Sequence, residues 1–183
     1  GMVLDNSNSI LTNVTFNGNS TSLGGGGGLL VIADNPTLRN VTFTGNLAAS
    51  GGGMSNSNAS PFLENVTFNG NIASGSGGGI YNGLGNSILK NVTFSGNTAT
   101  FGGAMYNDES NPIITNSILW GNTGGEITNI LGGSPDVTYS IVQGGYAGTG
   151  NVDEDPLLGV LANNGGYTQT MALGAGSPAI NTG

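Results

Sequence analysis

The side chains of this sequence that could carry out chemistry are few, and most of them are carboxylates. The chain has ten acidic residues, two cationic residues, no histidine and no cysteine. It therefore lacks the imidazole and the thiol that often serve as general base or covalent nucleophile. Two acidic clusters remain as candidates, the pair Asp108-Glu109 and the triplet Asp153-Glu154-Asp155.

The acidic triplet is the candidate metal site. The carboxylates of Asp153, Glu154 and Asp155, together with loop carbonyls, are the hard oxygen ligands that calcium prefers. The alternative interpretation is a solvated acidic turn that precedes a proline. Calcium at this triplet is the one cofactor that the sequence predicts, and no catalytic residue is assigned.

A repeated heptapeptide indicates how these residues are positioned. The segment Asn65-Val66-Thr67-Phe68-Asn69-Gly70-Asn71 recurs, nearly unchanged or in weaker form, at Asn13, Asn40, Asn91, Asn116 and Tyr139. The spacings between the starts of successive copies are 27, 25, 26, 25 and 23 residues. A fixed period in the twenties is typical of a solenoid, in which each repeat forms one coil. The pair Asp108-Glu109 then falls in a bend beside a lateral face, where it is the candidate ligand face.

The repeat pattern predicts three short strands and three bends in each full coil. In the Val-Thr-Phe strand, alternation with period two places valine and phenylalanine inward and threonine outward. Stacking of parallel coils at about 4.8 Å aligns identical residues in columns. Asparagine suits the bends because it tolerates left-handed backbone and can bond to the next copy. Three asparagine ladders are predicted: Asn13/Asn40/Asn65/Asn91/Asn116, Asn19/Asn46/Asn71/Asn97/Asn122 and Asn56/Asn82/Asn107.

One outward column contains both cations of the protein. Successive coils place at the same position Thr12, Arg39, Glu64, Lys90, Thr115 and Thr138. Stacking predicts that charges alternate along this column, so that each acid faces a cation of the adjacent coil. Because both cations belong to a structural column and no histidine is present, we predict that the protein is not an enzyme.

The net charge argues against nucleic acid as a partner, and the short apolar runs argue against insertion into a membrane. The formal net charge is −8 and the isoelectric point is near 4.1. Nucleic acid is therefore an improbable partner, because its affinity comes from cations that meet phosphates. No apolar run approaches the roughly 18 residues that a membrane-spanning helix needs, so this segment is not expected to insert into a membrane.

The repeats resemble those of a known family. Two motifs of each coil are together similar to the repeats of polymorphic outer membrane proteins. The first is Gly-Gly-Ala-Met at 102–105, with its Gly-Gly-Gly-apolar relatives. The second is Phe-x-x-Asn, at 16–19, 43–46, 68–71 and 94–97. The tail, with Asp-Pro-Leu-Leu-Gly at 155–159 and Gly-Ser-Pro-Ala-Ile-Asn at 176–181, resembles the closing segment of bacterial surface proteins with pectin-lyase-like folds. This resemblance implies a right-handed parallel β-helix and an extracellular or outer-surface location on a bacterium.

We therefore predict an all-β, right-handed parallel β-helix of about six coils, roughly 30 Å long at the strand spacing. Residues 1–142 are predicted to form the coils, and residues 143–183 a C-terminal capping segment of the same domain. The leading function hypothesis is a non-catalytic surface or secreted module for adhesion or a structural stalk. The alternatives are a polysaccharide-binding or polysaccharide-degrading protein, and an ice-binding protein that uses the outward threonines. A surface glycan, a protein, or end-to-end self-association are the expected partners.

Overall fold

The computed structural model describes residues 1–22 and 24–180. These residues form an all-β parallel solenoid of about six turns with a spacing of about 25 residues, which confirms the predicted fold class. Residues 181–183 of the predicted capping segment lie outside the described residues. Within the described ranges, the structure contains no helix of a length and hydrophobicity that would let it span a bilayer.

Two parallel sheets form most of the coil wall. The first sheet has, in spatial order, the strands β1 (Met2–Asp5), β3 (Leu29–Ile32), β6 (Met54–Ser57), β9 (Ile80–Gly83), β11 (Met105–Asp108) and β14 (Ile127–Ile130). The second sheet has β2 (Ile10–Asn17), β4 (Thr37–Thr44), β7 (Phe62–Asn69) and β10 (Ile88–Ser95), followed by two coils with split strands. These are β12 (Ile113–Thr115) with β13 (Ile118–Trp120), and β15 (Asp136–Thr138) with β16 (Ile141–Val142).

Two shorter pairs complete the strands. The third wall contains β5 (Leu47–Ser50) and β8 (Ile72–Ser76), which pair in parallel. The C-terminal segment contains β17 (Leu158–Ala162) and β18 (Thr170–Leu173), which pair in antiparallel fashion.

The register of the coils is the one that the repeat predicts. Val66 of β7 pairs with Val41 and Val92, and Phe68 pairs with Phe43 and Phe94. The side chains of these valines and phenylalanines are buried inside the coils. The period-two alternation of the strand therefore gives the correct inward set.

The phenylalanines form a stacked column in the core. The ring centroids of Phe16, Phe43, Phe68 and Phe94 are 4.8, 4.7 and 4.8 Å apart, with interplanar angles of 7°, 1° and 4°. Glycine before the first-sheet strand leaves room for this column. A Cβ atom on Gly53 would lie 2.8 Å from Phe68 Cδ1 and 2.7 Å from a backbone oxygen of the next coil.

The ladder that begins at Asn19 is buried over most of its length. In each rung from Asn19 to Asn122, the backbone N–H and the side-chain Nδ2 both donate to the Oδ1 of the next asparagine, at 2.8–3.0 Å. The ladder ends on the buried carboxylate of Glu126, which accepts from the backbone N of Asn122 at 3.1 Å and from its Nδ2 at 2.6 Å. Burial raises the pKa of Glu126, and the two hydrogen bonds from Asn122 oppose that shift.

The ladder inside the first sheet begins with an unpaired atom. Asn56 donates to Asn82 Oδ1 at 2.8 Å, Asn82 donates to Asn107 Oδ1 at 2.9 Å, and the row continues to Asn129. The paired position in the preceding coil is Val31, which cannot donate. Asn56 Oδ1 therefore has no hydrogen-bond partner among the described residues, although its side chain is fully buried.

The outer asparagine ladder is shorter than predicted. Asn40, Asn65 and Asn91 each donate to the Oδ1 of the preceding copy, at 3.0–3.3 Å. In the described part of the chain no hydrogen bond joins Asn116 to Asn91, so the predicted fourth rung, between these two residues, is wrong. The ladder stops where the second sheet splits. There Ser117 replaces the repeat valine and accepts from the backbone N of Val92 at 3.1 Å.

The C-terminal segment makes two sets of contacts. Val152 pairs with Ile141, and the side chain of Tyr146 packs against the core beyond the last coil. The hairpin of β17 and β18 then runs back along the outside of the second sheet. There Thr42 Oγ1 donates to the backbone oxygen of Gln169 at 2.8 Å.

The unpaired oxygen of Asn56 generates a stability prediction. Asn56→Val removes the unpaired oxygen, and Asn82 Oδ1 keeps a donor because Ser87 Oγ lies 2.7 Å away. We expect its free energy of unfolding to equal or exceed that of the wild type in chemical denaturation. The matched variant Asn82→Val leaves the Asn56 amide without a partner and should lose about 1–3 kcal/mol or more. Equal destabilisation by the two substitutions would contradict this account.

The end of the buried ladder generates a pH prediction. The pKa of Glu126 is raised in the folded state, so the folded state binds its proton more tightly than the unfolded state. The contribution of this group to stability is therefore largest below its ordinary value of 4.5 and is lost as the pH rises through the folded pKa. Glu126→Gln keeps an acceptor for Asn122 and removes the titration. We expect the melting temperature of this variant, relative to wild type, to rise with pH above that value.

The control for the pH prediction is the exposed Glu109. Glu109→Gln also removes one carboxylate, but it removes none from the ladder. We expect no comparable pH-dependent difference in melting temperature for this variant. A difference that is the same for both variants would show that total charge, and not burial of Glu126, determines the effect.

Candidate functional site

The predicted ligand pair Asp108-Glu109 lies at the end of β11 beside two tyrosines. The hydroxyl of Tyr81 donates to Asp108 Oδ2 at 3.0 Å. The rings of Tyr81 and Tyr106 stack with centroids 5.5 Å apart and an interplanar angle of 14°. Glu109 is exposed, with φ of 48° in the bend. The outer face of the first sheet thus carries two half-buried aromatic rings next to a carboxylate.

The electrostatics of this face follow from the Tyr81–Asp108 contact. Burial, and then the hydrogen bond and negative charge of Asp108, raise the pKa of Tyr81 to about 12. The phenol therefore stays protonated at neutral pH and donates to the carboxylate. Sequence reasoning did not single out these tyrosines. The sequence pattern could have identified them. Tyr81 follows the inward Ile80 and Tyr106 follows the inward Met105, so the two tyrosines occupy equivalent outward positions in adjacent coils.

The three side chains of the acidic triplet have different surroundings. Asp153 Oδ1 accepts from the backbone N of Gly144 at 3.0 Å, and Asp155 Oδ1 accepts from the backbone N of Leu157 at 2.8 Å. The exposed Glu154 lies on the wall of a cavity. Across residues 1–22 and 24–180, no three acidic side chains form a group that could hold a metal ion. Calcium at the triplet stays a prediction for a binding experiment.

The charged column has the predicted register but only one ion pair. Glu64 lies between Arg39 and Lys90 in the second sheet, and the carboxylate of Glu64 pairs with Arg39. The guanidinium of Arg39 also lies 5.5 Å from the centroid of the Phe62 ring. Within the described residues Lys90 makes no salt bridge, so the predicted contact between Lys90 and Glu64 is not formed. Arg39 is held in a structural contact, and Lys90 is the cation left outside an ion pair.

The outward threonine column is partly covered. Thr42 has no exposed surface and Thr67 is buried, whereas Thr15 is exposed. The cover is the C-terminal hairpin, through the Thr42–Gln169 hydrogen bond and Met171, whose sulfur lies 3.9 Å from Asn69 Nδ2. The threonines point out of the coil as predicted, but they do not form one open face for ice.

A cavity of about 610 Å³ lies between the C-terminal segment and the last coils. Its floor is the outer surface of the second sheet where the threonine column has changed to Ile118 and Ile141. Its walls include the asparagines at which the outer ladder stops, Asn91 and Asn116. The remaining lining residues are Ser117, Tyr139, Ser140, Gly150, Val152, Glu154, Leu173, Pro178 and Ala179.

Tyr139 stands in the cavity at the position that asparagine occupies in the earlier coils. Its backbone has φ of 49°, a left-handed conformation that is unusual for an aromatic residue. Its ring lies against Gly150, where an added Cβ would come within 2.5 Å of Tyr139 Cδ1. Half of the surface of Tyr139 is exposed, at 50 %. Gly150 thus leaves room for an aromatic ring that remains accessible from the cavity.

Two coils of this architecture match a family model. Residues 65–83 and 91–108 match the Chlamydia polymorphic membrane protein repeat. The two matched segments run from a ladder asparagine through the Val-Thr-Phe strand and the glycine-rich bend to β9 and β11. The resemblance predicted from the sequence is therefore confirmed for these repeats. Searches of curated proteins and of solved structures found no match to the chain.

Proposed function

We propose that this chain is a non-catalytic β-helix module of the bacterial surface or of a secreted protein, with a role in adhesion or as a stalk. The observation that carries the proposal is the repeat match, because two stacked coils resemble repeats of a family of membrane proteins. This match suggests a bacterial surface β-helix protein. Adhesion and the stalk are the finer roles that we propose for it.

The chemistry of the described side chains supports a role without catalysis. The protein has neither histidine nor cysteine, and Arg39 is occupied by Glu64. Within the described residues, the coil interior is packed with stacked apolar and amide side chains. A fold of this kind hosts unrelated functions, and the function must come from sites on its outer faces.

The first coil supports a further proposal about partners. Met2, Val3 and Ile10 expose 42 %, 61 % and 76 % of their surface. β1 and β2 each pair on one side only within the described residues, so their other edges can accept strands. We include end-to-end self-association among the proposed interactions, beside a surface glycan or a protein. Nucleic acid is not among them, because the net charge is −8.

The proposed role is tested by retention of the purified protein on immobilised polysaccharides and surface glycoproteins, with calcium and with a chelator. We expect retention without the appearance of new reducing ends, since the chain has no histidine and no cysteine to act as general base or nucleophile. New reducing ends would contradict a non-catalytic module. Failure to bind any surface would contradict adhesion and favour the stalk. Retention that a chelator abolishes would support calcium at the acidic triplet.

A second candidate function is polysaccharide binding or degradation on the outer face of the first sheet. The observation that favours it is the pair of stacked rings, Tyr81 and Tyr106, beside Asp108 and the exposed Glu109. Aromatic rings offer an apolar surface to sugars, and carboxylates accept hydrogen bonds from hydroxyl groups.

The second candidate is tested with the double variant Asp108→Asn/Glu109→Gln. If this face binds polysaccharide, the variant should be retained about tenfold more weakly or worse, which corresponds to one lost hydrogen bond of roughly 1.4 kcal/mol. The matched control is Asp5→Asn/Asp136→Asn, which removes two exposed carboxylates elsewhere. Unchanged retention of the Asp108/Glu109 variant would exclude this face as the binding site.

A further inference from the structure

We propose that the cavity between the C-terminal segment and the last coils binds a neutral oligosaccharide. The cavity measures about 610 Å³, within the range of roughly 300–1,000 Å³ that ligand pockets occupy. It lies on the second sheet, away from Asp108 and Glu109, which are not among its lining residues. The inference names a ligand class for the adhesive role and rests on that proposed role.

The polar groups of the cavity include the two asparagines at the point where the outer asparagine ladder stops. Asn91 uses its Nδ2 to bond Asn65, and in the described residues its Oδ1 receives no hydrogen bond. The Asn116 side chain is exposed, and its amide has no hydrogen bond within the described ranges. An amide pair of this kind offers donors and acceptors together. Sugar hydroxyls also donate and accept, so they can satisfy both amides and the nearby carboxylate of Glu154.

The apolar side chains of the cavity suit the C–H groups of a sugar ring. The ring of Tyr139 is held on Gly150 and is half exposed, while Val152 and Leu173 each expose 38 % of their surface. A sugar ring presents C–H groups on its faces and hydroxyl groups at its edges. The cavity lining combines this aromatic ring and these aliphatic side chains with amides and a carboxylate, which matches the mixed chemistry of a sugar.

The charge of the cavity selects against anionic ligands. Among the described residues that line it, Glu154 is the one carboxylate and there is no lysine or arginine. A uronate or a phosphate would therefore meet a like charge without a compensating cation, in a protein whose net charge is −8. These facts favour a neutral sugar over an acidic one.

The backbone of the cavity argues against an extended peptide. A peptide that adds to a sheet needs unpaired N–H and C=O groups along a strand edge. Here the backbone N of Asn116 donates to Thr138 O, and that of Ile141 donates to Ser117 O at 2.9 Å. Val152 already pairs with Ile141 at the end of the ladder. The strand edge is used by the chain itself, so recognition in the cavity depends on side chains.

The test is calorimetric titration of the full chain with neutral glucose, galactose and N-acetylglucosamine oligomers and with a uronate oligomer. We expect saturable binding of at least one neutral series and about tenfold weaker binding after Asn116→Gly or Glu154→Gln. Glycine suits position 116 because its φ is 51°. The matched controls are Asn13→Gly, whose φ is 60° at the far end of the outer ladder, and Asp5→Asn, which removes an exposed carboxylate of β1. The variant Glu109→Gln tests the tyrosine face separately. Unchanged melting temperatures verify the fold of each variant.

The outcomes separate this inference from the proposed function. Weakening by the two cavity variants and not by the controls supports the inference. Weakening by Glu109→Gln alone overturns it and places the sugar on the tyrosine face. Preference for the uronate oligomer, or no saccharide binding, also overturns it. In the last case, retention on immobilised proteins still supports adhesion, whereas failure on every surface removes the adhesive role as well.

Discussion

The structure depends on one constraint, the fixed distance between neighbouring parallel strands. Backbone hydrogen bonds set this distance at about 4.8 Å, and every side chain in a column must pack against the aligned side chain of the next coil at that separation. Flat groups meet the requirement, as the phenylalanine centroids at 4.7–4.8 Å show. Planar amides meet it with hydrogen bonds of 2.8–3.0 Å in the buried ladders. Buried amides, which are costly when unpaired, therefore become part of the core.

The same constraint determines where chemistry can occur. Inside a ladder each amide has a neighbour on both sides to hydrogen-bond with. At the two ends of a ladder one neighbour is missing, so the groups there have a different partner or none. One ladder ends on the buried carboxylate of Glu126, another begins with the unpaired oxygen of Asn56, and the outer ladder stops at Asn91. The cavity lies at this last point, where the second sheet splits and the C-terminal segment supplies the opposite wall. The coils are thus a scaffold, and the interruptions of their regularity are the candidate functional features.

The sequence predicted features that repeat and missed those that interrupt the repeat. The inward valine and phenylalanine columns follow from period-two alternation, and the buried ladders follow from aligned asparagines such as Asn46 and Asn71. The break at Asn116 was missed because the hydrogen bonds of the split coil, such as the one from the backbone N of Val92 to Ser117 Oγ, exist only between stacked coils. The path of the C-terminal hairpin over Thr42 joins residues 127 positions apart, and no local pattern encodes such a contact. The calcium prediction at Asp153–Asp155 is still untested.

The C-terminal segment covers one part of the threonine column and leaves another part open. The chain has no cysteine, so a single introduced thiol reports its own surroundings. The most direct measurement is the rate at which a thiol reagent modifies Thr42→Cys, compared with Thr15→Cys, in the folded protein. We expect slow modification at position 42, which has 0 % exposure, and fast modification at the exposed position 15. Equal, fast rates at both positions would show that the hairpin does not lie on this face and would remove the wall of the proposed cavity.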